Sequence, residues 1–170
     1  MDFVYVGKVV NTHGIKGEIR IKSYFEHKDK VFIPNHYLYI GENFDKYKIR
    51  TYRRHKDYDM VTLEGFNNIN DVLFLLKKKV FVSRNDLLLN ENEYIIDDLI
   101  GFSVYVGNAL KGAVSNIYLI DPKRRIMDVE TTNGIVKVPF HKDFIKEVKN
   151  DEKKLILETV EGLFSWELIY

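Results

Sequence analysis

The 170-residue chain contains no cysteine. That absence removes disulfides, thiol nucleophiles and thiolate metal sites together. No apolar run approaches the roughly 18 residues needed to span a bilayer, and "LFLL" runs straight into Lys77–Lys79. The start, "MDFVYVGK", has neither a basic n-region nor an apolar h-region, so it does not read as a secretory signal. His13, His27, His36, His55 and His141 include no pair at metal-ligand spacing. The G-x-S-x-G elbow, the phosphate-binding P-loop and a strand–G-x-G-x-x-G–helix unit are missing as well. Asp97-Asp98 precedes an apolar "LIG" with no acid or base partner beside it, and reads as a solvated turn. No low-complexity segment and no repeat of fixed period occurs. These absences set the expectation of a soluble, cytoplasmic, non-enzymatic protein with no cofactor, no metal and no membrane segment.

What is present is β-rich and split in charge. A hydrophobic content of 45% with 14% aromatics suits a folded chain rather than a disordered one. Residues 1–88 hold 16 Lys and Arg against 11 Asp and Glu, a net of +5. Residues 89–170 hold 10 against 14, a net of −4. A basic half joined to an acidic half suggests two domains with different partners, the basic one suited to a polyanion.

Alternation of period two dominates both halves. In "EIRIKSYF", Ile19 and Ile21 share one face while Glu18, Arg20 and Lys22 share the other. "FVYVGKVV", "YLYIG", "KYKIRTYR" and "MVTLEG" read as further short strands. In "KYKIRTYR", Lys46, Lys48 and Arg50 share a face opposite Tyr47 and Ile49, read first as a solvated strand face and second as a nucleic-acid surface. One segment departs: Ile69, Val72, Leu73 and Leu76 follow the i, i+3, i+4, i+7 spacing of an amphipathic helix. Asn67 or Asn68 would cap that helix, and Lys77–Lys79 would sit at its negative C-terminal end. A polar boundary is expected at Asn85–Glu93, giving domains 1–88 and 94–170. Beyond it, "FSVYVG", "AVSNIYLI", "RIMDVET", "IVKVPF", "FIKEV" and "KLILETV" are separated by turn signals and predict a second small β-barrel or sandwich.

The stretch Asn11-Thr12-His13-Gly14-Ile15-Lys16-Gly17 lies between two of these strands. Its glycines allow positive φ or a close backbone approach, and Asn11 tolerates a left-handed conformation. Gly14–Gly17 formally matches the GXXG loop of a KH domain, but that loop joins two helices and here both flanks alternate as strands. A hairpin loop presenting His13 and Lys16 fits better, with Lys8, Arg20 and Lys22 extending the cationic surface.

Gly7 to Ile21, "GKVVNTHGIKGEIRI", is very similar to the opening signature of the RimM family of ribosome maturation factors. "EYIIDDLIGFSV" (Glu93 to Val104) resembles the entry to that family's PRC-barrel domain. "KGAVSNI" (Lys111 to Ile117), "VPF" (Val138 to Phe140) and "EGL" (Glu161 to Leu163) follow in the expected order. The resemblance implies an all-β chain of two tandem barrels. The first would be a six-stranded, translation-factor-like barrel with one short helix, the second a PRC barrel. It implies a monomeric assembly factor, without catalysis, that binds the immature small ribosomal subunit. The implied partners are 16S rRNA and small-subunit protein nineteen of the subunit's head. Lys8, His13, Gly14, Lys16, Gly17 and Arg20 would face rRNA, and Tyr94 with Ile95 would dock on ribosomal protein. Where the family has paired tyrosines followed by tryptophan, this chain has Tyr94, Ile95 and Ile96, and its "DPKRRIMDV" replaces an Asn-Asp-apolar stretch. The competing readings are a stand-alone RNA-binding or RNA-modifying protein using Gly14–Gly17 on free RNA, and a C-terminal adaptor for some other protein.

Overall fold

The computed structural model describes residues 1–159 and 162–164. Glu161, the first residue of the "EGL" motif, therefore lies outside the described residues. The chain divides into two compact units, Met1–Leu88 and Leu89–Tyr170.

The first unit is a closed antiparallel barrel. Its strands are β1 (Phe3–His13), β2 (Glu18–Lys22), β3 (Tyr37–Ile40), β4 (Asp45–His55), β5 (Tyr58–Leu63) and β6 (Lys79–Ser83). They run in the order β1-β2-β5-β4-β3-β6, with β6 returning to β1. The expected alternation holds: Ile19 and Ile21 are fully buried, as are Leu38, Ile40 and Ile49. On β4, Lys46 caps the Tyr37 ring at 4.0 Å, Lys48 pairs with Glu64 at 3.3 Å, and Arg50 reaches Asn67 at 2.9 Å. One carboxylate is buried. Asp59 is 1% exposed and accepts from Lys28 Nζ at 2.7 Å and from the Tyr52 hydroxyl at 2.9 Å. Burial first, then the bond to Asp59, pushes the Tyr52 hydroxyl up to about 12.

The helix is shorter than its spacing predicts. α1 spans only Ile69–Val72 and passes directly into a 3-10 turn, Leu73–Leu75. Val72 and Leu75 point into the core, whereas Leu73 is 45% exposed. The start is strong: the Asn68 side chain accepts from the Asn70 and Asp71 amides, and Asp71 accepts from the Asn67 and Asn68 amides. The end is abrupt, because Leu76 is extended and Lys77 adopts φ 67°, turning the chain into β6. Lys77–Lys79 thus lie in the exit turn and first strand residue, not on a helix terminus, and helix electrostatics do not account for them.

Among the described residues, the second unit is a bent six-stranded sheet. Its strands are β7 (Ser103–Val106), β8 (Ala109–Asp121), β9 (Arg124–Thr131), β10 (Gly134–Pro139), β11 (Ile145–Lys149) and β12 (Lys154–Leu157). The order is β10-β9-β8-β7-β12-β11, antiparallel except for the parallel pair β7 and β12. Two register shifts against β9 and one against β7 bend β8, and the sheet wraps a core that includes Leu99, Val104, Met127, Val129, Val138 and Leu155. Gly112 lets β8 approach β9. A Cβ there would meet the Glu130 carbonyl oxygen closer than any side chain can sit.

Candidate functional site

β1 and β2 form a hairpin whose last paired residues are His13 and Glu18. The turn is therefore the four residues Gly14–Gly17. Asn11 remains in the strand, at a register shift, and its side chain accepts from the Thr12 amide at 2.8 Å. The two glycines differ in purpose. Gly14 has φ 66° with open space around it, a purely torsional requirement. Gly17 has φ 84° and also packs on backbone, since a Cβ there would lie 3.1 Å from the Asn68 carbonyl oxygen. The Ile69 amide donates to the Ile15 carbonyl at 3.0 Å, so the turn is pinned to the first residues of α1. What it presents outward is Ile15, 76% exposed, and Lys16, which makes no ion pair among the described residues.

The other cations near the turn are engaged. Arg20 donates to His13 Nδ1 at 2.6 Å, and since a guanidinium has no acceptor, Nδ1 is the accepting nitrogen. The Arg20 guanidinium also lies 5.6 Å from the centre of the Tyr58 ring. Arg53 grips Glu18 through two bonds of 2.9 and 2.7 Å, which hold that carboxyl below its usual range. His55, whose ring centre is 5.7 Å from that of His13, is held below the ordinary histidine range by desolvation and then by Arg53 and His13. Among these groups lies an open hollow of about 430 Å³, lined by His13, Gly14, Ile15, Lys16, Glu18 and Arg53 along with Thr62.

His13, Gly14, Lys16, Gly17 and Arg20 are thus brought together in one hairpin. Lys8 is not at the turn; it stands five residues back on β1, about 15 Å along the strand. In the second unit, Tyr94 packs edge-on against Phe140 at 6.4 Å and lines a hollow of about 640 Å³. Ile95, expected to dock beside Tyr94, is 3% exposed with its side chain used for packing, and Tyr94 is half-buried, one side of it against the core of the second unit. Arg125, Lys142 and Lys146 also line that hollow, with Glu147 the one carboxylate among its lining residues, so its rim is mainly cationic within the acidic half. Sequence reasoning missed Ile15, an apolar residue in a polar loop, and the Arg53–Glu18 clamp, whose members are 35 positions apart. Among the described residues, no three His, Asp or Glu side chains come together in a way that could hold a metal ion.

The model of the RimM N-terminal domain family matches residues 4–87. A Staphylococcus aureus protein named ribosome maturation factor RimM is 38% identical over 167 residues, covering 94% of this chain and 98% of its own. The chain belongs to the RimM family. Among solved RimM structures, that from Pseudomonas aeruginosa is 17% identical with a TM-score of 0.47, covering 94% of this chain and 98% of its own. The N-terminal domain of RimM from Thermus thermophilus is 21% identical with a TM-score of 0.44, over 52% of this chain and 98% of its own. Family membership rests on the sequence relation. The RimM signature at Gly7 to Ile21 is, in physical terms, the β1–β2 hairpin with its pinned turn.

Proposed function

We propose that this chain is a ribosome assembly factor of the cytoplasm that binds precursors of the small subunit and acts by binding energy rather than by bond chemistry. One observation carries the reading: a near-full-length relation, 38% identical, to a protein named ribosome maturation factor. The barrel of residues 1–88 would face 16S rRNA, and the PRC-like unit of residues 94–170 would dock on small-subunit protein nineteen in the head. In the barrel, the contact surface is the turn carrying Ile15 and Lys16, with His13 and Arg20 supporting it from below and Lys8 beyond it. In the second unit, Tyr94 is the docking aromatic. A factor of this kind favours one rRNA conformation by its differential affinity and leaves when the mature state no longer fits.

The test is co-sedimentation of the purified chain with immature small subunits, mature small subunits and complete ribosomes. Enrichment on the immature particle alone is expected. Equal binding to all three, or to none, overturns the proposal. Tight, non-selective binding to free RNA, or turnover of an added substrate, would favour the stand-alone RNA-binding or RNA-modifying alternative.

A further inference from the structure

Three lysines stand abreast on the outside of the barrel. Lys8 is the direct cross-strand partner of Lys22 on β2 and of Lys79 on β6. Direct partners leave the sheet on the same face, and adjacent strands lie about 4.8 Å apart, so the row spans about 10 Å. Like charges placed directly opposite repel and destabilise a sheet. None of the three makes an ion pair among the described residues. Lys77 and Lys78 lie beside the row rather than in it: their backbones bond to Val9, and the Lys78 ammonium sits 5.1 Å from the centre of the Phe74 ring. By contrast, Lys28, Lys48, Arg53 and Arg84 each hold a carboxylate. Lys8, Lys22 and Lys79 thus put three cations with no carboxylate partner among the described residues on one strip of the barrel.

Aromatic rings border it. Lys22 Nζ lies 5.4 Å from the centre of the Tyr24 ring and 5.0 Å from that of Tyr58, and Tyr24 is 39% exposed. Cations in a row with flanking rings match the two needs of a single nucleic-acid strand, neutralised phosphates and a stacking platform. We propose that Lys79, Lys8 and Lys22, with Tyr24 at the end of the row, form a track for the phosphate backbone of a single RNA strand. The row lies about 15 Å along β1 from the hairpin turn, and this inference rests on the functional reading above only in naming RNA as the polyanion.

The experiment uses the full chain and a fluorescent oligouridylate of about 12 nucleotides, titrated between about 50 and 200 mM salt. Three phosphate contacts give a slope of log affinity against log salt of about −2. The triple variant Lys8→Gln, Lys22→Gln and Lys79→Gln should lose roughly tenfold in affinity at low salt and most of that slope. Lys123→Gln, one charge lost in the other unit, should bind as the wild type. The triple variant should melt at the wild-type temperature or above, since repulsion is removed. Wild-type affinity in the triple variant, or no oligonucleotide binding by the wild type, overturns the track. Equal, row-dependent binding of polyglutamate or of phosphatidylserine vesicles overturns its assignment to RNA. The two readings fail separately. Row-dependent oligonucleotide binding without co-sedimentation leaves the track and removes the assembly role. Co-sedimentation with row-independent oligonucleotide binding does the reverse.

Discussion

The first unit closes its sheet, whereas the second, over its described residues, is an open one, and the two place their polar groups differently. The barrel has no edge strand, so every strand has two neighbours. It also holds polar side chains inside: Ser23, Asp59 and Ser83, the buried polar residues among those described, all belong to it. Each needs partners there, and Asp59 has Lys28 and Tyr52. Among the described residues, β10 and β11 are the outer strands of the second sheet. Those edges carry Lys137 and Pro139 on one side and Lys146, Glu147 and Lys149 on the other, residues that discourage pairing with another chain. Its ion pairs are at the surface, as with Lys137–Asp128 and Lys154–Glu152. A closed sheet can hold buried charge, while an open one spends its charge guarding edges.

The sharpest way to separate the units is to break one backbone contact in the second. Gly112→Ala forces β8 away from Glu130, and we expect a loss of about 3 kcal/mol. Hydrogen exchange should show lost protection in β8 and β9 with β1–β6 unchanged; a uniform loss would join the units into one cooperative block. Next, Asp59→Ala removes the acceptor shared by Lys28 and Tyr52 and should cost about 2 kcal/mol, read by denaturant melting. Asn68→Ala removes the cap that starts α1 and should cost about 1 kcal/mol. Because the hairpin turn is pinned to the residues beside this cap, the same variant should also weaken binding to small-subunit precursors.

Alkali offers a smaller, unit-specific handle. Tyr52 titrates near 10 when unfolded and near 12 in the barrel, so the folded state holds its proton more firmly. Its contribution is complete below pH 10 and is lost as pH rises toward 12. The barrel's melting temperature should fall across that window, and Tyr52→Phe should flatten the fall. Least visible in stability is Lys16→Glu: an exposed side chain without an ion pair should change folding by less than about 0.5 kcal/mol. Its effect should appear only as several-fold weaker co-sedimentation with the immature particle.

How much of this was legible in the chain depended on range. The strands of the second half were marked by local alternation and turn residues, and β7–β12 overlap the stretches read from them, although β8 begins at Ala109, inside a segment expected to be a turn. Barrel closure was not legible, because the pairing of β6 with β1 joins residues some eighty positions apart. The helix misled because a spacing of three serves both an α-turn and a 3-10 turn, and only the extended Leu76 and left-handed Lys77 decide between them. Gly17 was legible as a special glycine but not why, since its neighbour Asn68 lies on another element. The lysine row was invisible for the same reason: Lys8, Lys22 and Lys79 become neighbours only through register.

The parallel pairing of β7 with β12 has a consequence for the order in which the chain can fold during synthesis. β12 sits between β7 and β11, and so lies inside the second sheet although it is the last of its described strands in sequence. The barrel has all of its strands once Ser83 has left the exit tunnel, whereas the second unit waits for Leu157 before its sheet can be completed. For much of its synthesis the polypeptide is a finished barrel trailing an unfinished sheet. Translation thus delivers the two halves one after the other, with the cationic half first.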